Sequence, residues 1–260
     1  MMIMTFDIGN TTIALGIFRG KKLLVNWKIK SDREKTADEY GLILCNLLGY
    51  KKLSCQKIKG AIISSVVPPI TPVIEQAMEK FFKVKPLLVG PGLKTGIPIL
   101  YENPAEVGPD RIVAAYAAYK KYGGPCLIVD FGTATTFDAV SAAGEYLGGS
   151  IAPGIQISAE ALYLRTARLP RIEIKKPRAA IGRNTVSSMQ SGLYFGYIGL
   201  VNQIINEMSA ELQTKPVIVA TGGQAELIAS DIKAIDHFEP NLVLAGLQLL
   251  YEKNRPREKK

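Results

Sequence analysis

The 260-residue chain contains one histidine, His237, and three cysteines, Cys45, Cys55 and Cys126. A histidine-based metal site and a Ser-His-Asp triad are therefore set aside. The cysteines fall in no metal-ligand spacing; their odd number and scatter fit a reducing cytosol, so a cytoplasmic location is expected. There is no Walker loop. The nearest stretch, Gly16-Ile17-Phe18-Arg19-Gly20-Lys21-Lys22, has the wrong spacing and no Ser or Thr after its lysines. Gly90-Pro91-Gly92 lacks the spacing of a dinucleotide fingerprint. No apolar run reaches membrane-helix length, so no membrane partner is expected. The Met-rich start runs directly into Asp7 with no basic leader and reads as a strand rather than a signal peptide.

What remains is an ordinary globular composition, 47% apolar and 21% charged, long enough for one large or two modest domains. The formal net charge of +9 invites a nucleic-acid reading, but its distribution weakens it. About +4 sits in the tail, residues 253–260, which is expected to be disordered. A second basic cluster, from Arg165 to Arg183, is broken by Glu173 and apolar residues; it could line an anionic site or be a solvated loop.

The most informative stretch is Ile3-Met4-Thr5-Phe6-Asp7-Ile8-Gly9-Asn10-Thr11-Thr12, followed at once by Ile13-Ala14-Leu15-Gly16-Ile17-Phe18. An apolar strand ends on a carboxylate, turns through a glycine and small hydrogen-bonding residues, and returns as a second strand; a third follows over 23–29. Gly9 lets backbone approach a ligand, and Asn10, Thr11 and Thr12 offer donors suited to phosphate oxygens. Asp7 would repel phosphate unless a cation lies between them. The same arrangement returns as Cys126-Leu127-Ile128-Val129 leading into Asp130-Phe131-Gly132-Thr133-Ala134-Thr135-Thr136. Asp7 matches Asp130, Gly9 matches Gly132, and Thr11–Thr12 match Ala134–Thr135. The offset, 130 − 7 = 123 residues, is a little under half the chain. Two ordinary polar hairpins would not repeat a carboxylate and a glycine at the same point of a three-strand pattern, so a duplicated domain with two phosphate-facing turns across one cleft is expected.

Elsewhere, Thr36 with acidic Asp38 and Glu39 caps a helix to about Gly49. Residues 58–66 read as a buried strand, 71–82 as a helix and 86–89 as a short strand. Pro109 suits a first helical turn, which puts Asp110 and Arg111 at the start of a helix running to Tyr122. Residues 148–154 read as a glycine-rich loop, 157–164 as a helix and 187–212 as a long helix with Gly192, Gly196 and Gly199 on one face. A strand over 216–220 leads into Thr221-Gly222-Gly223, a small-residue turn able to admit a base or ribose. A last helix spans about 242–252. Strands alternate with helices, so the class is α/β.

Asp7-Ile8-Gly9-Asn10-Thr11, Gly108-Pro109-Asp110-Arg111, Asp130-Phe131-Gly132-Thr133-Ala134-Thr135-Thr136, Asn184-Thr185 with Ser188 and Ser191-Gly192, and the ending Leu242-Val243-Leu244-Ala245-Gly246-Leu247 occur in the order seen in type III pantothenate kinase. The chain resembles that family over almost its whole length. The resemblance implies a duplicated actin-like (ribonuclease H-like) two-domain fold of the acetate and sugar kinase superfamily, with a central ATP cleft and domains over 1–115 and 116–252. It implies ATP-dependent phosphorylation of pantothenate to 4′-phosphopantothenate, the first step of coenzyme A biosynthesis. Asp7, Ile8, Gly9, Asn10, Thr11, Thr12, Ile13 and Ala14 would hold ATP phosphates, with Mg2+ near Asp7, and Thr133 would bind phosphate on the other wall. Asp130 would coordinate a monovalent cation, K+ or NH4+. Tyr101, Gly108, Pro109, Asp110, Arg111 and Thr185 would contact pantothenate, with Asp110 as proton acceptor. A homodimer is implied, in which Thr185 can act on the neighbour's site.

Each residue also has a plainer reading. Asp110 and Arg111 could be a helix-start acid with a nearby ion pair, Tyr101 a core tyrosine, Asp130 a turn cap, and Thr185 the cap of the following helix. Spacing alone favours the plain reading of Asp110 and Arg111; the repeat and the resemblance together favour function. The expectation for Asp110 is that the helix dipole keeps it ionised, as a base must be. Two other classes remain open. One is a regulatory binding module like the Bvg accessory factor; the other is a kinase with a carboxylate acceptor, as in acetate kinase.

Overall fold

The structure is a computed structural model that describes residues 1–255. Its elements in the first half are β1 (Met2–Ile8), β2 (Thr12–Arg19), β3 (Lys22–Lys30), α1 (Ala37–Tyr50), β4 (Ile58–Ser65), α2 (Thr71–Ala77), β5 (Leu87–Leu88) and α3 (Pro109–Tyr122). In the second half they are β6 (Cys126–Phe131), β7 (Ala134–Val140), β8 (Tyr146–Pro153), α4 (Ile155–Arg165), α5 (Thr185–Glu211), β9 (Val217–Thr221), α6 (Ala225–Ile228), β10 (His237–Phe238) and α7 (Leu242–Asn254).

The chain forms two compact units: the first takes residues 1–97, 103–117 and the segment from Leu242, and the second takes Pro98–Glu102 and 118–241. In the first, five strands lie in the order β3-β2-β1-β4-β5. β1 pairs antiparallel with β2 and parallel with β4. Being central, β1 is buried on both faces, which is why it reads as a near-continuous apolar run. Met4, Phe6 and Ile8 join Tyr40, Leu44 and Leu48 of α1 and Ile74 of α2 in one core. The Thr36 side chain caps α1, and Glu39 completes the reciprocal capping box. The single helix expected over 71–82 is α2 followed by a wider π turn, Met78–Phe82, which ends at Lys83 with φ 58°.

In the second unit the order is β8-β7-β6-β9-β10, with the same pairing senses: β6 is antiparallel to β7 and parallel to β9. The core joins Val129 and Phe131 of β6 and Phe137 of β7 to Tyr194, Tyr197 and Val201 of α5. The duplication is thus present strand by strand. Two expectations change. The glycine-rich segment 148–154 is strand for most of its length, because β8 pairs with β7 as far as Pro153. The last helix groups with the first unit, not the second. α7 packs on β1 and β4, and a Cβ on Gly60 of β4 would fall 1.9 Å from the Tyr251 hydroxyl. Within the expected basic tail, Lys253 and Asn254 finish α7, and residues 256–260 lie outside the described residues.

Candidate active site

In the first unit, Asp7 stands at the end of β1, opposite Ala14 of β2 and Ser64 of β4. Buried Ile8 anchors the strand end, and the turn then surfaces: Asn10, Thr11 and Thr12 are exposed, Ile13 is buried and Ala14 half-buried. The Gly9 N–H donates to Thr12 O at 3.0 Å, closing the turn. A residue without a motif of its own then fixes it from outside. Ser31, just past β3, donates its hydroxyl to Gly9 O at 2.5 Å and its N–H to Thr11 O at 3.0 Å. Beside the turn, Ser64 is buried with its Oγ lacking a hydrogen-bond partner.

In the second unit, Asp130 ends β6 opposite Thr136 and Thr221. The Gly132 N–H donates to Ala134 O at 3.1 Å, and exposed Thr133 accepts from Gly154 N at 3.1 Å, at the start of α4. The equivalences show that this turn is one residue shorter than the first. Thr12 and Ala14 correspond to Ala134 and Thr136, so the match of Thr11–Thr12 with Ala134–Thr135 is corrected: the offset falls by one past the glycine. The turn after β9 closes over Asp130: Gly222 has φ +101°, and a Cβ there would fall 2.5 Å from Asp130 Oδ1. The Thr221 hydroxyl, buried, donates to Glu239 O at 2.7 Å, and Gln224 N–H donates to Phe131 O at 3.1 Å.

Pro109 opens α3, as expected. Asp110 turns its carboxylate back so that Oδ1 accepts from Arg111 N–H at 2.9 Å. Gly108 makes room for this, since a Cβ there would lie 2.5 Å from that oxygen. The environment of Asp110 differs from the expectation in one respect. Burial raises its pKa above the ordinary carboxylate value, and the Arg111 N–H and charge offset this only in part. Arg111 itself is buried, 9% exposed.

Tyr101 belongs to the segment Pro98–Glu102 of the second unit, with its ring 6.4 Å from that of Tyr146. Thr185 is exposed and is the first residue of α5, but it is not the cap. Asn184 caps α5, its side chain accepting from Ser187 N–H at 2.9 Å while Ser187 Oγ accepts from Asn184 N–H at 3.1 Å. Four residues with a place near these groups carry no sequence signal by themselves: Ser31, Gly154, Asp138 and Tyr146. Each is brought in by strand pairing across long separations.

No cluster of three or more His, Cys, Asp or Glu suited to holding a metal occurs among the described residues. The carboxylates at the turns are single ones, each beside exposed backbone or hydroxyl groups. Such a donor set suits a hard cation that completes its shell with substrate phosphate oxygens and water rather than with a protein cage.

Comparison with known proteins shows what the chain is similar to. A family model described as type III pantothenate kinase matches residues 3–207. A type III pantothenate kinase from Moorella thermoacetica is 53% identical over 253 residues, covering 97% of this chain and 100% of the relative. Among solved structures, a Campylobacter jejuni protein described as a conserved Baf family transcriptional activator aligns at TM-score 0.62 and 18% identity, covering 97% of this chain and 98% of the other. An inorganic polyphosphate/ATP-glucomannokinase from an Arthrobacter strain aligns at TM-score 0.51 and 13% identity, covering 97% and 99%. At such identities the structural likeness speaks for the fold alone, that of the actin-like ATPases and sugar kinases.

Proposed function

Because the chain belongs to the type III pantothenate kinase family, we propose that it transfers the γ-phosphoryl group of ATP to pantothenate. The product is 4′-phosphopantothenate, and the step is the first of coenzyme A biosynthesis. The observation that carries this reading is the match to a pantothenate kinase over 97% of the chain. The repeated turns ending β1 and β6 agree with it.

Phosphoryl transfer asks the protein mainly for positioning and charge stabilisation. The turn of Asp7, Ile8, Gly9, Asn10, Thr11, Thr12, Ile13 and Ala14 holds ATP phosphates with backbone N–H groups and small side chains, and Thr133 also holds phosphate. Gly108, Pro109, Asp110 and Arg111 hold pantothenate, with Tyr101 and Thr185 as further contacts. Arg111 offers its guanidinium to an anionic substrate group or to the Asp110 carboxylate. Asp110 takes the proton of the attacking hydroxyl, and its raised pKa moves it towards the range in which a base works best near neutrality. When bound, Mg2+ at Asp7 and a monovalent cation, K+ or NH4+, at Asp130 would neutralise phosphate charge.

The working form in this reading is a cytoplasmic homodimer in which Thr185 serves the neighbouring copy's pantothenate site. Exposed Ile157, Leu164, Val186 and Phe195 on α4 and α5 support it, as do Gly192, Gly196 and Gly199, each with open space where a Cβ would be. An active monomer in sedimentation at assay concentration rules the dimer out. No helix of the described residues is long and apolar enough to cross a membrane. A coupled assay with ATP, magnesium, potassium and pantothenate tests the function itself. Phosphopantothenate is the expected product, and its absence under every monovalent ion rejects the reading.

A further inference from the structure

We propose that Asp138 and Tyr146 are positioning residues that fix the segment Pro98–Glu102, and with it Tyr101, for pantothenate binding. The inference rests on the reading of Tyr101 as a pantothenate contact. Pro98–Glu102 interrupts the first unit in sequence yet belongs to the second. One residue accounts for this. Leu100 N–H donates to Tyr146 O at 2.8 Å, and Tyr146 N–H donates to Pro98 O at 2.9 Å.

Tyr146 is itself held from beneath. Its ring is fully buried, and its hydroxyl donates to Asp138 Oδ1 at 2.7 Å. Asp138, on β7, is 1% exposed, and the Thr136 hydroxyl donates to its Oδ2 at 3.3 Å. A carboxylate at so buried a sheet position is costly unless hydrogen-bonded, and one of the bonds this one makes fixes the ring. Beside that ring lies Tyr101, with centroids 6.4 Å apart and planes tilted by 50°. Gly148, with φ +121°, also borders Tyr101: a Cβ there would come within 3.3 Å of the Tyr101 ring. The chain of contacts runs from Asp138 through Tyr146 to the backbone of 98–102 and the ring of Tyr101. If that chain loosens, Tyr101 is misplaced while the ATP turns keep their own hydrogen bonds. A bond that merely strengthened the sheet would affect both substrates alike.

Tyr146→Phe removes one hydroxyl and keeps the ring and both main-chain bonds. The KM for pantothenate should rise roughly fivefold to tenfold, the change expected for one hydrogen bond, while the KM for ATP stays within about twofold. Asp138→Asn keeps an acceptor for the Tyr146 hydroxyl and should raise the pantothenate KM less than Asp138→Ala does. It also carries the comparison if Tyr146→Phe fails to fold. Tyr101→Leu is the reference. If Tyr101→Leu raises the pantothenate KM and Tyr146→Phe does not, the positioning role falls and the Tyr101 contact stands. If neither raises it, both fall. If Tyr146→Phe raises both KM values in parallel as Tm drops, the pair is structural only and the inference is overturned.

Discussion

Asp110 sits where opposing influences on a carboxylate meet. The start of α3, the Arg111 N–H and the Arg111 charge favour the ionised form, and burial opposes it and prevails. The catalytic consequence follows from the sign. A base must be deprotonated, so activity falls as pH drops through a pKa raised above the ordinary Asp value. The acid limb of kcat/KM against pH should therefore lie above the ordinary Asp value, and a limb at or below that value counts against Asp110 as the base. Asp110→Asn should lower kcat by about 10²–10⁴-fold with ATP binding retained in calorimetry. A loss below about tenfold would mark a positioning group instead. The same shift has a stability sign. With the folded pKa above the unfolded one, the native state is disfavoured progressively as pH rises from the unfolded to the folded value, and the cost is complete above both. The neutral amide escapes that cost, so the melting temperature of Asp110→Asn at neutral pH should be no lower than that of the parent. Asp130 makes a contrasting case: Asp130→Asn should lower activity, with part recovered by excess potassium. Equal rates of the parent enzyme in sodium-only and potassium buffers would reject a monovalent site there. The Gly108-Pro109-Asp110-Arg111 string shows where the proposed base lies. It does not announce the direction of the shift, because four letters show a helix start but not how much of the chain folds over it.

At the scale of elements, the two turns are related but unequal. Each begins with a carboxylate, and two residues later a glycine whose N–H closes the loop, yet the second is a residue shorter. The shared half was legible because strand residues repeat with fixed spacing. The shift was not, because a one-residue deletion in a turn leaves the apolar pattern of both strands intact. Ser31 was illegible for a different reason. It lies 22 residues from Gly9 and reaches it only because β2 and β3 fold back in register, with Thr12 opposite Lys30. Its hydroxyl and N–H bind the carbonyls of Gly9 and Thr11, so the backbone proposed to face phosphate is held by a residue that need not touch the ligand. Ser31→Ala should free the Gly9 carbonyl and raise the KM for ATP by roughly threefold to tenfold, the scale of one lost hydrogen bond. The pantothenate KM should hold, and a change confined to pantothenate would show that the turn does not depend on Ser31. Caps were read with mixed success for a local reason. Thr36 has a Glu three residues on and was read correctly, whereas at α5 two adjacent polar residues compete and Asn184 takes the cap that could have been assigned to Thr185.

For the whole molecule, the duplicated sheets were visible in the sequence, because each half spends its strands in the same order. The return of the last helix was not. α7 follows the second sheet in the chain, and its apolar residues would suit either unit. What decides its place is a set of small-residue contacts that no periodicity reveals. Gly60 of β4 admits the Tyr251 ring, and Gly246 of α7 lies where a Cβ would come 2.5 Å from Val113 O and 3.1 Å from Ala117 Cβ on α3. The first unit therefore draws together residues far apart in the sequence, β1 near Met2 and α7 from Leu242. Gly246→Val should be destabilising, because the obstruction is a backbone carbonyl in a packed helix pair that cannot turn aside. Overpacking of this kind costs typically about 1–3 kcal/mol. The loss should be local to the first unit. In hydrogen exchange followed by mass spectrometry, β1 and β4 should lose protection before β6 and β7 do, since α7 packs on the former pair. Equal loss in both sheets would mean that the units unfold together. Loss confined to β6 and β7 would mean that α7 stabilises the second unit, as its position in the chain had suggested.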